Sequence, residues 1–179
     1  MSEQDQTTAE EPRIVERAEQ PYLGITCEIT EGVPAAVDVA FPALFGWLGE
    51  RGTAPVAAPA IRLREVDSAG EPLLLDVCAP VAAGVEGGGE VRADVLPAGR
   101  YATLRHVGPY RSEEQRDLSD ARESLVAWME GEGLVYGRAS ERGVELACAA
   151  DHYLIGPGGP DAEPDFTRWQ TDLAYLLIE

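Results

Sequence analysis

The chain has 179 residues, 45% of them apolar, and sets 32 acidic against 14 basic side chains for a formal charge of -18. That size and apolar content suit one compact domain, while the negative surface repels polyphosphates and argues against direct nucleic-acid binding. The acidity is spread along the chain as on a solvated surface. No stretch approaches the roughly 20 apolar residues of a membrane span, and the polar start MSEQDQTTAEEPR lacks the apolar core of an export signal, so a cytoplasmic protein without a membrane partner is expected.

Residues 1–12 read as a disordered segment and 13–179 as one domain. The first strand is placed at Tyr22 to Ile29, where Ile25, Cys27 and Ile29 alternate with polar Thr26 and Glu28. Pro34 suits a first helical turn, and Val37, Phe41, Leu44, Phe45 and Leu48 follow at helical spacing up to Gly49 and Gly52. Pro42 interrupts that pattern, since an internal proline removes a hydrogen bond, and so moves the expected start toward Pro42. Ile61 to Val66 and Leu73 to Val81 form a hairpin about Asp67-Ser68-Ala69-Gly70-Glu71. A glycine-rich loop then leads to an edge strand carrying Val91, Ala93 and Val95.

From Tyr101 the order repeats. A strand runs to Val107, a helix opens at Ser112 with Gln115 as capping-box partner, and Leu118, Ala121, Leu125, Trp128 and Met129 form its apolar face. Two strands follow, Leu146 to Ile155 and Thr171 to Ile178, joined by a long loop, Gly156 to Asp165, of the kind that serves binding. Asp76-Val77-Cys78-Ala79-Pro80 and Tyr153-Leu154-Ile155-Gly156-Pro157 close strands alike, which suggests internal duplication. The expected fold is therefore α+β: two strand-helix-strand-strand units forming antiparallel sheet, two main helices, and a central ligand cleft where the units diverge.

No metal or cofactor is expected, because Cys27, Cys78, Cys148, His106 and His152 are scattered rather than paired at ligand spacing. The cysteines read as reduced, mostly buried thiols. His106 alternates with Ala102 and Leu104 as a structural strand residue, and no nucleophile is marked for either histidine. Gly87-Gly88-Gly89 lacks the lysine and helix onset of a phosphate loop.

The run Val95-Leu96-Pro97-Ala98-Gly99-Arg100-Tyr101-Ala102-Thr103-Leu104-Arg105-His106-Val107-Gly108-Pro109-Tyr110 resembles the hallmark segment of GyrI-like domains. Ala60-Ile61-Arg62-Leu63, Asp151-His152-Tyr153-Leu154-Ile155-Gly156-Pro157 and Trp169-Gln170-Thr171-Asp172 follow in the family's order. The resemblance implies two strand-helix-strand-strand units around a cleft, as in effector-binding domains of multidrug-sensing MerR-type and AraC-type regulators. No helix-turn-helix pattern precedes the domain, so a stand-alone module is expected. Such members are regarded as small-molecule binders or toxin-protection proteins, and one branch hydrolyses cyclopropane-bearing alkylating compounds with a carboxylate and an aromatic residue. Two positions depart from the pattern: Asp151 stands where glutamate is usual, one methylene shorter, and Leu63 follows Arg62 where an aromatic is usual.

Three functions follow. The first is a binding module for an apolar or cationic aromatic molecule, in a cleft lined by Phe45, Trp47, Tyr110, Tyr153 and Trp169 with Asp151 supplying negative charge. Asp151 also reads as a solvent-facing strand residue, and the aromatics as core filling, with Trp128 assigned to core and Trp169 to the cleft. The second is a hydrolase of electrophilic toxins in which Asp151 activates water and Tyr153 donates a proton. The third is an acidic inhibitor that covers a DNA-binding enzyme. The partner is a small molecule, and the protein a monomer or weak homodimer.

Overall fold

The computed structural model of the protein describes residues 11–158 and 162–179, so the expected disordered segment, residues 1–12, lies almost wholly outside the described residues, as does the middle of the long loop. The elements are β1 (Arg13–Arg17), β2 (Gln20–Glu28), α1 (Val33–Glu50), β3 (Ala60–Val66), β4 (Pro72–Pro80), β5 (Arg92–Leu96), β6 (Gly99–Val107), α2 (Leu118–Gly131), β7 (Gly137–Ala139), β8 (Val144–Ile155) and β9 (Gln170–Leu176), with a 3-10 turn at Phe166–Arg168. Among the described residues no helix is long and apolar enough to cross a membrane.

The strands form one antiparallel sheet in the order β1-β6-β9-β8-β3-β4-β2-β5, with β7 alongside β8. Two units, β2-α1-β3-β4 and β6-α2-β8-β9, meet where β3 pairs with β8, and each unit's outer strand is paired by the leading strand of the other. This topology dictates curvature. Between β1 and β2 lie only Ala18 and Glu19, although the two strands stand six places apart in the sheet. A flat sheet would separate them by roughly 29 Å at the usual strand spacing, whereas that connector spans about 11 Å. Pro97 and Ala98 impose the same condition on β5 and β6. The sheet therefore curls into a half-barrel, with both helices on its convex face and a second, smaller core of Ala60, Cys78, Cys148, Ala150 and Ala174 inside, with Tyr22 and Tyr101. Small side chains suit that tight concave surface.

The duplication is present, but its correspondences differ from those suggested by strand endings. Asp76 on β4 faces Thr26 and Arg62, just as Asp172 on β9 faces Arg105 and His152. Thus β4 matches β9, not β8, and Asp76-Val77-Cys78-Ala79-Pro80 is not the counterpart of Tyr153-Leu154-Ile155-Gly156-Pro157. Helix α1 starts at Val33 and runs through Pro42 instead of starting there. Both Pro42 and Asp38, whose carbonyl the proline leaves without a helical partner, are exposed, so that carbonyl faces solvent instead of a buried surface. Helix α2 starts six residues beyond Ser112: Asp117 is the N-cap, in a reciprocal box with Asp120. The Ser112 hydroxyl instead accepts from the amides of Glu114 and Gln115, forming a separate turn. The first strand of the chain is β1, whose short, charged sequence carries little apolar alternation.

Inside the curl, Asp76 accepts hydrogen bonds from Tyr22 at 2.6 Å, Thr26 at 2.8 Å, and Arg64 at 2.6 and 2.9 Å. Burial pushes its carboxyl upward, but these donors outweigh burial and hold it below its ordinary 3.8. A depressed carboxyl stabilises the fold fully above that ordinary value, and the contribution is lost as pH falls beneath it. Asp76→Asn is expected to cost roughly 3 kcal/mol at pH 7. Urea unfolding from pH 7 to pH 2.5 should show the gap from the unsubstituted protein constant down to about pH 4 and shrinking below it.

Candidate functional site

Strand faces alternate, so β3 and β8 present Ile61, Leu63, Ala149, Asp151 and Tyr153 to the helix side, with Ile61 opposite Asp151 and Leu63 opposite Ala149. Helix α1 packs on β4 and β2, and α2 on β6. The central strand pair thus floors a cleft with a helix on either side. Ile61, Leu63, Ala149 and Asp151 are nonetheless buried, so side chains from the walls close over the floor.

Asp151 is 3% exposed and ion-paired with Arg122 of α2. Burial drives the Asp151 carboxyl upward while Arg122 opposes that rise. Arg122 stays protonated because Asp151 compensates its own desolvation, and its Nε is buried without a hydrogen-bond partner. The family resemblance points to the carboxylate and not to its partner. A legible signal existed. Ala40-Phe41-Pro42-Ala43-Leu44-Phe45-Gly46-Trp47-Leu48 aligns with Ala121-Arg122-Glu123-Ser124-Leu125-Val126-Ala127-Trp128-Met129, matching the buried Ala40, Leu44 and Leu48 of α1 to Ala121, Leu125 and Met129 of α2. Phe41 and Arg122 are counterparts in this alignment, as are Ile61 and Asp151 across the β3·β8 pair.

Beyond Asp151 on the same face, Tyr153 meets Tyr110 edge-on with ring centroids 5.2 Å apart, and Tyr110 lies 4.6 Å from Trp169. Phe166 adds an edge contact to Trp169 at 6.4 Å. Tyr110 arrives there because Gly108, at φ 135°, turns the chain out of β6, and because the His106 ring lies 2.9 Å from the Pro109 carbonyl. Gly156 leaves room for its hydroxyl: a Cβ there would stand 2.5 Å from the Tyr110 oxygen. The Trp169 indole donates to the Glu163 carbonyl at 2.7 Å. Burial raises the Tyr110 hydroxyl to about 12 and the Tyr153 hydroxyl well above its ordinary 10. A depression of about 370 Å³ is lined by Leu104 to Pro109, Gln115, Arg116, Ala121 and Thr167, and none of Tyr110, Asp151, Tyr153 and Trp169 lines it.

Tyr110, Asp151, Tyr153 and Trp169 are therefore brought together. Phe45 and Trp47 are not both at the cleft, because residues two apart lie about 200° apart around a helix. Trp47 faces the loop before β5, against Gly88, and Arg51 stacks over it at 3.8 Å. Phe45 takes the opposite flank, stacked on Phe41 at 6.1 Å. Trp128, the counterpart of Trp47, is half-buried against the core. His106 is buried, as a structural strand residue would be. Cys78 and Cys148 are buried and Cys27 half-buried. Among the described residues no group of three metal-ligating side chains converges.

The crystal structure of the EcmrR C-terminal domain is similar at TM-score 0.70 and 16% identity, covering 94% of this chain and 98% of that one. In a cryo-EM structure of an EcmrR–DNA complex the likeness covers 57% of the EcmrR chain, at TM-score 0.71 and 16% identity. A hydrolase from Listeria innocua matches at TM-score 0.54 and 15% identity over 94% of this chain and 92% of its own. SAV2435 bound to tetraphenylphosphonium matches at 0.54 and 8% identity over 94% of both chains. No curated protein sequence matches. The family model described as the GyrI-like small molecule binding domain matches residues 10–147, ending just before the strand segment that carries Asp151 and Tyr153. With well over half its length matched, the chain belongs to the GyrI-like small-molecule-binding domain family.

Proposed function

We propose that residues 13–179 act as one ligand-binding domain that takes up a small aromatic molecule between α1 and α2, for sensing or sequestration in the cytoplasm. The observation that carries this reading is the cluster of Tyr110, Tyr153 and Trp169 beside a buried ion pair, at the floor of a cleft between two helices. Aromatic rings bind flat or edged apolar ligands with little loss of conformational freedom, and the neighbouring polar groups fix orientation. Family membership and the fold shared with a tetraphenylphosphonium-bound protein support it.

The test is a thermal-shift screen of aromatic compounds followed by calorimetric titration of the hits, because a ligand that prefers the folded state raises its stability. Trp169→Ala and Tyr153→Ala are each expected to weaken the best ligand by about tenfold, the equivalent of losing one ring contact. Trp47→Ala, on the far flank of α1, should leave affinity within about twofold. Equal losses for all three variants would move the site away from this cleft.

Hydrolysis of an electrophilic ligand is the second reading, favoured by a carboxylate and a phenol on one face of β8 and by the fold shared with a Listeria innocua hydrolase. Mass spectrometry of each bound compound separates the two. Products that vanish with Tyr153→Phe would make the protein an enzyme, whereas ligands recovered intact make it a binding protein.

A further inference from the structure

The two halves of the cleft are built on one plan and differ in chemistry. In the first half the matched positions hold Phe41 on the helix and Ile61 and Leu63 on the strand, all buried or half-buried. In the second half they hold Arg122, Asp151 and Tyr153. Apolar side chains on helix and floor are thus exchanged for an ion pair, and both partners change together. A carboxylate alone at Ile61's counterpart would have made the cleft a trap for cations, as the sequence led us to expect. The guanidinium removes that bias: the pair is neutral overall, and a cation entering beside Asp151 must also approach Arg122. Opposite charges this close in a largely desolvated site interact strongly, so a competing cation has little to gain.

One donor is left over. The Arg122 Nε is buried and makes no hydrogen bond, an arrangement that costs free energy unless something supplies an acceptor. Its side chain is 19% exposed, whereas the Asp151 side chain at 4% lies beneath it. A ligand therefore meets the arginine before the carboxylate.

We infer that Arg122 is a specificity-determining residue, which turns the cleft from a cation site into one for an aromatic molecule carrying a hydrogen-bond acceptor, such as a carbonyl, phosphoryl or carboxylate oxygen. The rings of this ligand lie against Tyr153 and Trp169, its remaining apolar surface toward Phe41, Ile61 and Leu63, and its acceptor toward Arg122. This inference rests on the cleft being the ligand site.

Two probes of similar shape separate the possibilities: tetraphenylphosphonium, a cation without an acceptor, and triphenylphosphine oxide, an uncharged molecule with one. Dissociation constants for both are measured by calorimetry at 0.15 M salt on the full chain, on Arg122→Met, on Arg122→Gln and on the double variant Arg122→Met with Asp151→Asn. The unsubstituted protein is expected to prefer the oxide, and Arg122→Met to shift the ratio toward the phosphonium by at least about tenfold through release of the Asp151 charge. The double variant, with neither charge, should lose that shift. Arg122→Gln, which keeps a donor without the charge, retains oxide binding and gains the cation, and it stands in should Arg122→Met fail to fold. The same ratio of affinities in every variant would overturn the role of Arg122 while leaving the cleft reading intact. Failure of all four proteins to bind either probe would overturn both.

Discussion

The pairing of β3 with β8 is the constraint on which the rest of the molecule depends. It joins two units that are otherwise held by exchanged outer strands, and it fixes which residues stand at the centre of the convex face. Since α1 and α2 sit over the flanking strands, this central pair has no helix above it, and the fold leaves a cleft there by construction. A one-residue slip in register would turn Asp151 and Tyr153 inward to the barrel and bring His152 to the cleft. The two-residue connectors at Ala18-Glu19 and Pro97-Ala98 oppose such a slip, because each ties strands at opposite ends of the curled sheet.

Duplication supplies the cleft, and departure from duplication supplies its chemistry. Where sequence matches across the units, it does so at packing positions: Ala40 with Ala121 and Leu44 with Leu125 between helix and sheet, and Tyr22 with Tyr101 inside the curl. These serve packing, which both halves need equally. Where the units part company, at Phe41 and Arg122 and at Ile61 and Asp151, the side chains border the cleft. A twofold-symmetric cleft would offer the same surface to both ends of a ligand. The asymmetry gives it one apolar and one polar end, and so a preferred orientation for whatever it holds.

Much of this was legible in the sequence. Alternation gave β2, β3, β4 and β6 to within a residue or two, and the run from Val95 to Tyr110 carried the family resemblance that the family match bears out. What was not legible has physical causes. Strand β1 is short and charged on an edge, so it lacks the apolar period that marks buried strands. The start of α2 was displaced because Ser112 caps a local turn of its own, whereas the Asp117 carboxylate takes the amides of both Ser112 and Asp120. Trp47 lies against Gly88 and Arg51, away from Tyr110 and Trp169, because helical phase sets it about 200° from Phe45. Arg122, on an amphipathic helix, reads as surface unless the two helices are aligned, which sets it against Phe41.

The partnership of Arg122 with Asp151 raises the question of why an ion pair occupies this position at all. Burying a carboxylate and a guanidinium rarely stabilises a fold more than a well-packed apolar pair would, and the other half of this protein demonstrates the apolar solution with Phe41 and Ile61. Retaining the costlier arrangement in one half makes sense if the pair is used in binding rather than in folding. The geometry agrees: Asp151 is buried beneath Arg122, while Arg122 keeps an unpaired donor and remains partly exposed. The carboxylate's part is then to keep the arginine charged and aimed in a dry site, and the arginine's part is to meet the ligand.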